Sequence, residues 1–414
     1  MSNNFEHKHL SQLCTLLNGL AFKPEDWSEY GHPIIRIQNL NGSSDFNFCN
    51  RAVPSQYMIP PDTVLFSWSG NRGTSFGPYW WKGPSGVLNQ HIFKVSPKPD
   101  IYLRWLYYSL DLARQEAEQQ AHGGSGLVHV RRTDLLKYEI PTPPLPEQRR
   151  IAETLDTIDK AIQKTEALIS KLKAMKQGLL HDLLTRGLDA SGKLRDPKAH
   201  PEQFKDSPLG RIPKSWDISR GINISELITK GESPNWQGFS YENEGVLFIT
   251  SENVRDGFLY VSYPKFISPK FDHKLKRSRL KPGDVLINLV GASIGRSCLF
   301  LKRFEPANIN QAVCLLRLRN SVKPDWIVNY LQLPIVISRL LGEQVETARP
   351  NLSLTQISDF LFPIPPLYEQ TDVTIILIAH DTRIHTEEQY RDKLKLQKKG
   401  LMHDLLSGKV RVKE

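Results

Sequence analysis

Cysteine is scarce in this chain: four in 414 residues, at positions 14, 49, 298 and 314, with no CxxC pair. That argues against a disulfide framework and against a thiolate zinc site. Long apolar runs are lacking too. The longest, Ile375–Ala379, falls far below the ~20 residues a helix needs to cross a bilayer. The opening stretch MSNNFEHKHL has no apolar signal core. These absences point to a protein of a reducing, cytoplasmic compartment with no membrane partner. Positive charge, by contrast, is in excess. The formal charge is +10 and the pI about 9.3, spread along the chain rather than held in a tail. A balance of that kind suits a polyanionic partner.

Catalytic signatures are also missing. GASIGRS (291–297) has one residue too few between its glycines for a phosphate-binding loop, and Arg296 stands where lysine belongs. His181-Asp182 and His403-Asp404 have no accompanying histidine cluster with which to hold a metal. The PPLP and PPLY stretches sit in the wrong context for the [N/D/S]PP[Y/F/W] motif of adenine methyltransferases, and no FxGxG accompanies them. The chain reads as a recognition protein, without catalytic residues or a metal site.

What it does have is a duplication. Residues 141–187 and 363–409 align at a constant offset of 222 without a gap, and 20 of 47 positions are identical. Each copy opens with prolines and then turns helical. Pro146 suits a first turn, whose N–H groups have no intrahelical partner, and Glu147 follows where the helix dipole favours negative charge. Ile151, Leu155, Ile158, Ile162, Ile169, Leu172, Leu179 and Leu183 then fall on a heptad seam broken by Thr165 and Lys176. The second copy keeps Val373, Leu377, Ile384, Leu394, Leu401 and Leu405 on its seam, but also places His380, Glu387 and Arg391 there. The seams predict that the two copies pair, most simply antiparallel. Helices of about 40 residues would extend roughly 60 Å. Gly178 and Gly400 interrupt both helices, which suggests close approach of either the sister helix or a partner subunit.

Before each long helix lies a mixed segment, residues 1–140 and 211–362. Apolar runs at Ile34–Ile37, Val64–Ser67 and His91–Val95 separated by Pro- and Gly-rich turns predict strands, and residues 101–121 a helix. VLFSWSG (64–70) matches VLINLVG (285–291), Asn89-Gln90 matches Asn310-Gln311, and Trp105-Leu106 matches Trp326-Ile327. Residues shared by both heads cannot encode two different base sequences. Asn-Gln is therefore expected to serve a role common to both heads, either a backbone contact to the polyanion or, as the favoured reading, a buried hydrogen-bond anchor at a strand start. Residues 188–210, polar and turn-rich, read as a linker.

The paired PxPPLxEQ stretches (141–148 and 363–370), the helix ends GLLHDLL and GLMHDLL, and GRIPKSWD (210–217) resemble a specificity subunit of a type I restriction–modification system. The likeness extends over nearly the whole chain, with Tyr368 departing from the pattern at the position of Pro146. The resemblance implies an α+β fold with a pseudo-two-fold internal repeat. Two mixed α/β target-recognition domains (1–140 and 211–362) would be separated by two long helical spacers, 141–187 and 363–414 including the tail, forming an antiparallel coiled coil. Each domain would read half of a bipartite, asymmetric site on double-stranded DNA. Two modification subunits carrying S-adenosylmethionine, and restriction subunits using ATP and Mg, would be its protein partners; no cofactor would bind this chain.

The DNA-reading candidates are polar residues in loops rich in glycine and basic residues. In the first head these are Asn71 and Arg72 of SGNRG, with His129, Arg131 and Arg132 just past HGGSG. In the second they are Ser293 and Arg296, with Arg349 and Asn351 in ETARPNLS. Arginine pairs bidentately with guanine, and asparagine with adenine. Lys274, Lys276, Arg277 and Arg279 in KLKRSRLK are suited to phosphates, which add affinity without sequence information.

Overall fold

The computed structural model describes residues 5–120, 126–342 and 351–412. Contacts divide the chain into two compact units, Met1–Ala167 with Glu388–Glu414, and Leu168–Glu387. Each contains one head and a half-length of both long helices, Leu145–Thr185 and Leu367–Leu406.

In the first unit four antiparallel strands are ordered Cys14–Asn18, Ile92–Pro97, Thr63–Ser67, Gly77–Trp81. Alternate residues of a strand point to opposite faces, and both faces of this sheet are covered. Val64, Phe66, Phe93 and Val95 pack with Trp105 and Leu106 of the helix Leu103–Gln120. Leu65 and Ile92 face Ile35, Ile59 and Leu88 of a second sheet. A strand buried on both sides has to be apolar throughout, which is why VLF reads as a continuous run. The second sheet runs Phe48–Cys49, His32–Ile35, Gly86–Leu88, Met58–Ile59, its central pair parallel.

The second unit repeats the plan. Its four-stranded sheet runs Ser225–Lys230, Val313–Leu318, Val285–Asn288, Ser297–Leu299. The smaller one has Phe266–Ile267, Val246–Ile249 and Ala307–Ile309, the last two parallel. Among the differences, the helix Leu103–Gln120 of the first head becomes two, Pro324–Leu331 and Pro334–Leu341, because Pro334 lacks the N–H a continuous helix needs.

Asn-Gln occupies the crossing between the two sheets in both heads. Asn89 N–H donates to the Ile35 carbonyl (3.1 Å) and its own carbonyl accepts from Ile92 (3.3 Å); Asn310 does the same with Ile249 (3.0 Å) and Val313 (3.3 Å). A glycine faces each crossing. A Cβ at Gly19 would lie 2.1 Å from the Asn89 oxygen, and one at Gly231 1.6 Å from that of Ile309. The contacts are backbone hydrogen bonds, as an anchoring role requires.

The long helices pair antiparallel within each unit. In the first, Ile158 and Ile162 pack on Leu394, with Lys398–Asp159 (2.6 Å) and Lys395–Glu166 (2.7 Å) flanking. In the second, Leu180, Leu183 and Leu184 share a core with Val373 and Leu377, and Lys176 pairs with Asp381. The seam positions up to Leu172 that are apolar are buried, and so is Leu183, but Leu179 is only partly buried and its neighbour Leu180 takes the buried place, because a straight helix at 3.6 residues per turn drifts off a strict heptad. Of the two partners expected at Gly178 and Gly400, the sister helix makes no close approach, for nothing lies within 4 Å of a Cβ built on either glycine.

Both PxPPLxEQ stretches are locked at their Glu-Gln. Gln148 accepts from Tyr102 N–H (2.8 Å) and donates to the Pro143 carbonyl (3.0 Å); Gln370 accepts from Lys323 N–H (2.8 Å) and donates to Pro365 (2.7 Å). Each glutamate binds an arginine that lies beyond the opposite helix. Glu147 accepts from Arg411 (Oε2–Nη2 2.7 Å) and Val412 N–H (3.0 Å). Glu369, fully buried, accepts from Arg195 (2.5 and 3.1 Å) and Leu188 N–H (2.8 Å). The stretch 188–210, expected as a linker, is thus folded onto its unit. Leu188, Arg195 and Phe204 are buried, and Phe204–Lys205 pairs with Ile212–Pro213.

Glu369→Gln leaves the Arg195 guanidinium buried without its counter-charge. Removing one partner of a buried pair costs about 3–5 kcal/mol, so a large fall in Tm is expected by differential scanning calorimetry, with the far-UV circular dichroism of the folded state retained at low temperature. An unchanged Tm would show that the clasp is dispensable.

Candidate nucleic-acid interface

Three chain segments meet at one end of each four-stranded sheet. In the first head, strand Thr63–Ser67 leads into Ser69–Asn71, which pairs antiparallel with Leu127–His129, and Val130 N–H donates to the Trp68 carbonyl (3.0 Å). In the second head Val290 bridges Asn351, and Leu352 N–H donates to Leu289 (2.8 Å). The loop pairs matched in the sequence are therefore adjacent in both heads.

Asn71 and Arg72 are exposed at the first turn. One N–H of the Arg72 guanidinium reaches the Glu118 carbonyl (2.8 Å), a cation meeting the negative end of the Leu103–Gln120 helix dipole. His129 lies edge-on to Trp68 (4.8 Å between ring centroids), which also touches His91 and stacks on Phe93. Burial pushes His91 below the usual histidine range, with the charge of His129 adding to the effect. Arg131 and Arg132 follow on the exposed surface. In the second head the corresponding backbone carries different groups. Ser293 Oγ accepts from the buried Asn288 amide (3.0 Å), and Arg296 lies 3.5 Å from Asp256. Asn351 sits at the bridge, while Arg349 falls outside the described residues.

The third segment was not apparent from the sequence. Asn39 Oδ1 accepts from Arg36 N–H (3.0 Å) and clamps the loop carrying Asn41, whose side-chain oxygen lies 2.9 Å from the Tyr79 hydroxyl. Asn253 Oδ1 accepts from Thr250 N–H (2.8 Å) and clamps the loop carrying Arg255 and Asp256. The signal was there in NLNG (39–42) and NVRDG (253–257), an asparagine, an apolar residue and a closing glycine, but with the asparagines at an offset of 214 rather than the 221 of the other matches between the heads.

The run 274–281 lies elsewhere. It precedes strand Val285–Asn288, whereas the Ser293–Arg296 loop follows it, and Arg279 forms a bridge to Asn308 of the smaller sheet. Lys274 bonds Gln237, Arg277 lies 3.7 Å from Glu232, and Lys276 is exposed. Arg279 donates to the buried Asp272 (2.7 Å), which ties it to the core of its own head.

The first unit also has a cleft of about 990 Å³ between the head helix and the second long helix, with Arg72 on its rim. Its cations are largely neutralised: Lys395 and Lys398 by the helix pairs above, and Arg114 by Asp111 and Glu118 (2.8 Å). Among the described residues no group of three or more His, Cys, Asp or Glu is placed to hold a metal, and no helix is long and apolar enough to cross a membrane.

The model of the type I restriction modification DNA specificity domain matches the chain twice, over residues 2–174 and 213–396. The chain belongs to that family. It is 24% identical over 377 residues to the EcoBI specificity subunit of Escherichia coli, covering 88% of this chain and 76% of that one. To the MjaVIII specificity subunit of Methanocaldococcus jannaschii it is 26% identical over 367 residues, covering 86% and 81%. The putative MjaX specificity subunit of the same organism is 26% identical over 429 residues, covering 99% and 94%. Among solved structures, an S subunit from M. genitalium aligns with TM-score 0.56 at 16% identity over 97% of this chain and 96% of that one. A chain from a study of type I R-M complex assembly aligns with 0.59 at 18% over 98% of both. At such identity the structural likeness is one of fold.

The two heads are thus DNA-recognition domains of a specificity subunit, and the family is one of sequence recognition rather than catalysis. Within it, Arg279 and its neighbours separate by role. Arg279→Ala takes the charged partner from the buried carboxylate of Asp272, which keeps only the Asn308 amide (2.9 Å), and is expected to lower Tm in a thermal melt. Lys276→Ala is expected to leave Tm unchanged. Equal melting temperatures for the two variants would refute a structural role for the Arg279–Asp272 contact.

Proposed function

We propose that this specificity subunit binds a bipartite, asymmetric site on duplex DNA, each head reading one half. The paired helices set the spacing between the halves and recruit two modification subunits, with restriction subunits joining them. The observation that carries this reading is the pair of loop clusters: one backbone arrangement in both heads, furnished with Asn71, Arg72, His129, Arg131 and Arg132 in one and Ser293, Arg296 and Asn351 in the other. Equal frames with unequal side chains suit two different half-sites. Half-site centres one helical turn apart, roughly 34–36 Å, would meet the same face of the duplex, a distance that helices of 41 and 40 residues are long enough to span.

In this reading the methyl donor, S-adenosylmethionine, belongs to the modification subunits, and ATP and Mg to the restriction subunits, the whole acting in the cytoplasm. Lys276 and the other exposed basic residues contribute phosphate contacts, so binding falls steeply as salt rises.

Co-expression with the modification subunit in a methylation-free host, followed by genome-wide mapping of methyladenine, tests the proposal. A split motif of two short halves around a fixed gap is expected. Exchanging residues 1–140 for the head of another family member should alter one half and leave the other. A change in both halves would refute the two-reader arrangement, and a stable complex that neither methylates nor binds DNA in low salt would point to a protein scaffold.

A further inference from the structure

The loops clamped by Asn39 and Asn253 share an anchor but not a tip. In the first head the tip is polar, Asn41-Gly42-Ser43, held beside Tyr79. In the second it is a short hairpin: Val254 bridges Leu259, and Arg255 N–H donates to the Phe258 carbonyl (3.0 Å) around Asp256-Gly257. The base of the hairpin is buried through Val254 and Leu259, yet Phe258 at the tip is 57% exposed. The tip is also fixed in place. Gly257 N–H donates to the Ser297 carbonyl (2.9 Å), and the Asp256 carboxylate lies 3.5 Å from Arg296 Nε. Arg255 is held with its guanidinium over the Tyr260 ring, 5.6 Å from the centroid. An aromatic ring that adds little to the core is thus presented rigidly beside two arginines, within the loop cluster that the first head furnishes with Arg72 and His129.

We propose that the hairpin 254–259 is a DNA-reading finger of the second head, with Phe258 making an apolar base contact and Arg296, steadied by Asp256, a polar one. The inference rests on the duplex-reading function above. Duplex DNA fits this chemistry because it offers phosphates and guanine edges to the arginines, and a thymine methyl or an opened base step to the ring. Tyr260 is exposed as well, but Arg255 lies over its ring, so charge rather than a broad apolar patch of the kind a protein partner needs dominates the tip. Asp256 bears on position rather than affinity: its charge is spent on Arg296, which fixes where that guanidinium can meet a base.

The test uses the full chain co-expressed with its modification subunit, with methyladenine mapped for the wild type, Phe258→Ala, Phe258→Leu and Arg296→Gln. Phe258→Ala is expected to relax one half of the motif, or to lose its methylation, with discrimination at the affected base pair falling roughly tenfold. Phe258→Leu keeps the apolar contact and should retain the motif; Arg296→Gln should affect the same half as Phe258→Ala. In all three variants the modification subunit should still co-purify. The proposal is overturned if Phe258→Ala keeps the wild-type motif and extent of methylation. It is also overturned if that variant releases the modification subunit, which would make the hairpin a protein-docking surface. A wild-type chain that yields no split motif fails the functional reading itself, and the finger falls with it.

Discussion

Two buried carboxylates govern how this chain closes on itself. Glu147 and Glu369 stand in the first turn of each long helix, and each is held by an arginine from beyond the end of the other helix. The first turn is where backbone N–H groups lack partners and a negative charge is favoured. The tail of the opposite helix brings the cation that allows that charge to be buried. Relative to an apolar alternative, such a pair adds little net stability; its consequence lies in the cost of mispairing. A helix pair shifted by one turn would leave a carboxylate and a guanidinium buried apart. The clasp therefore fixes register along a seam in which His380, Glu387 and Arg391 weaken the purely apolar specification.

From the clasp the constraint passes to the heads. Gln148 and Gln370, next in sequence to the glutamates, bond the backbone at the start of each head helix, at Tyr102 and Lys323. The strand before each long helix is paired with the strand that opens its head, Glu6–His9 with Glu139–Thr142 and Asp217–Arg220 with Leu361–Ile364. The position of each loop cluster relative to its own helix half thus follows from a short series of buried contacts. Specific DNA reading needs that rigidity, because bidentate pairing with a base edge tolerates little displacement.

Much of this was legible in the sequence, for identifiable reasons. The helices are continuous and of equal length, so a fixed offset of 222 aligned them and revealed the seam. The run Val64–Ser67 announced a strand, though not that both of its faces are covered. The clasp partners escaped because an insertion precedes the first of them: SGKLR (191–195) and SGKVR (407–411) repeat at an offset of 216, and comparison at 222 passes over both. The same indel problem hid Asn39 and Asn253. The 188–210 stretch looked like a linker because its composition is polar, yet its buried arginine is satisfied by a residue 174 positions away. Gly178 and Gly400 suggested close approach of the sister helix or of a partner subunit, and the sister helix is not what they meet. Composition reports local preference; which charge is buried, and which glycine is crowded, is decided by partners distant in the chain.

The division between frame and reader is also chemical. At each junction the spacer bonds main-chain groups of the head: Gln148 takes the N–H of Tyr102, and Gln370 that of Lys323. Main-chain groups are present whatever side chains surround them, so the same spacer accepts heads of different sequence provided a helix starts at that point. The heads have used this latitude, for one carries a continuous helix where the other is broken by Pro334, and one a polar loop where the other has the Phe258 hairpin. The crossing between sheets is held the same way, by the carbonyls of Asn89 and Asn310 with a glycine opposite each. Sequence divergence in the loops then leaves the contacts that position them intact. A duplicated chain can in this way keep one geometry while its two halves come to present different side chains.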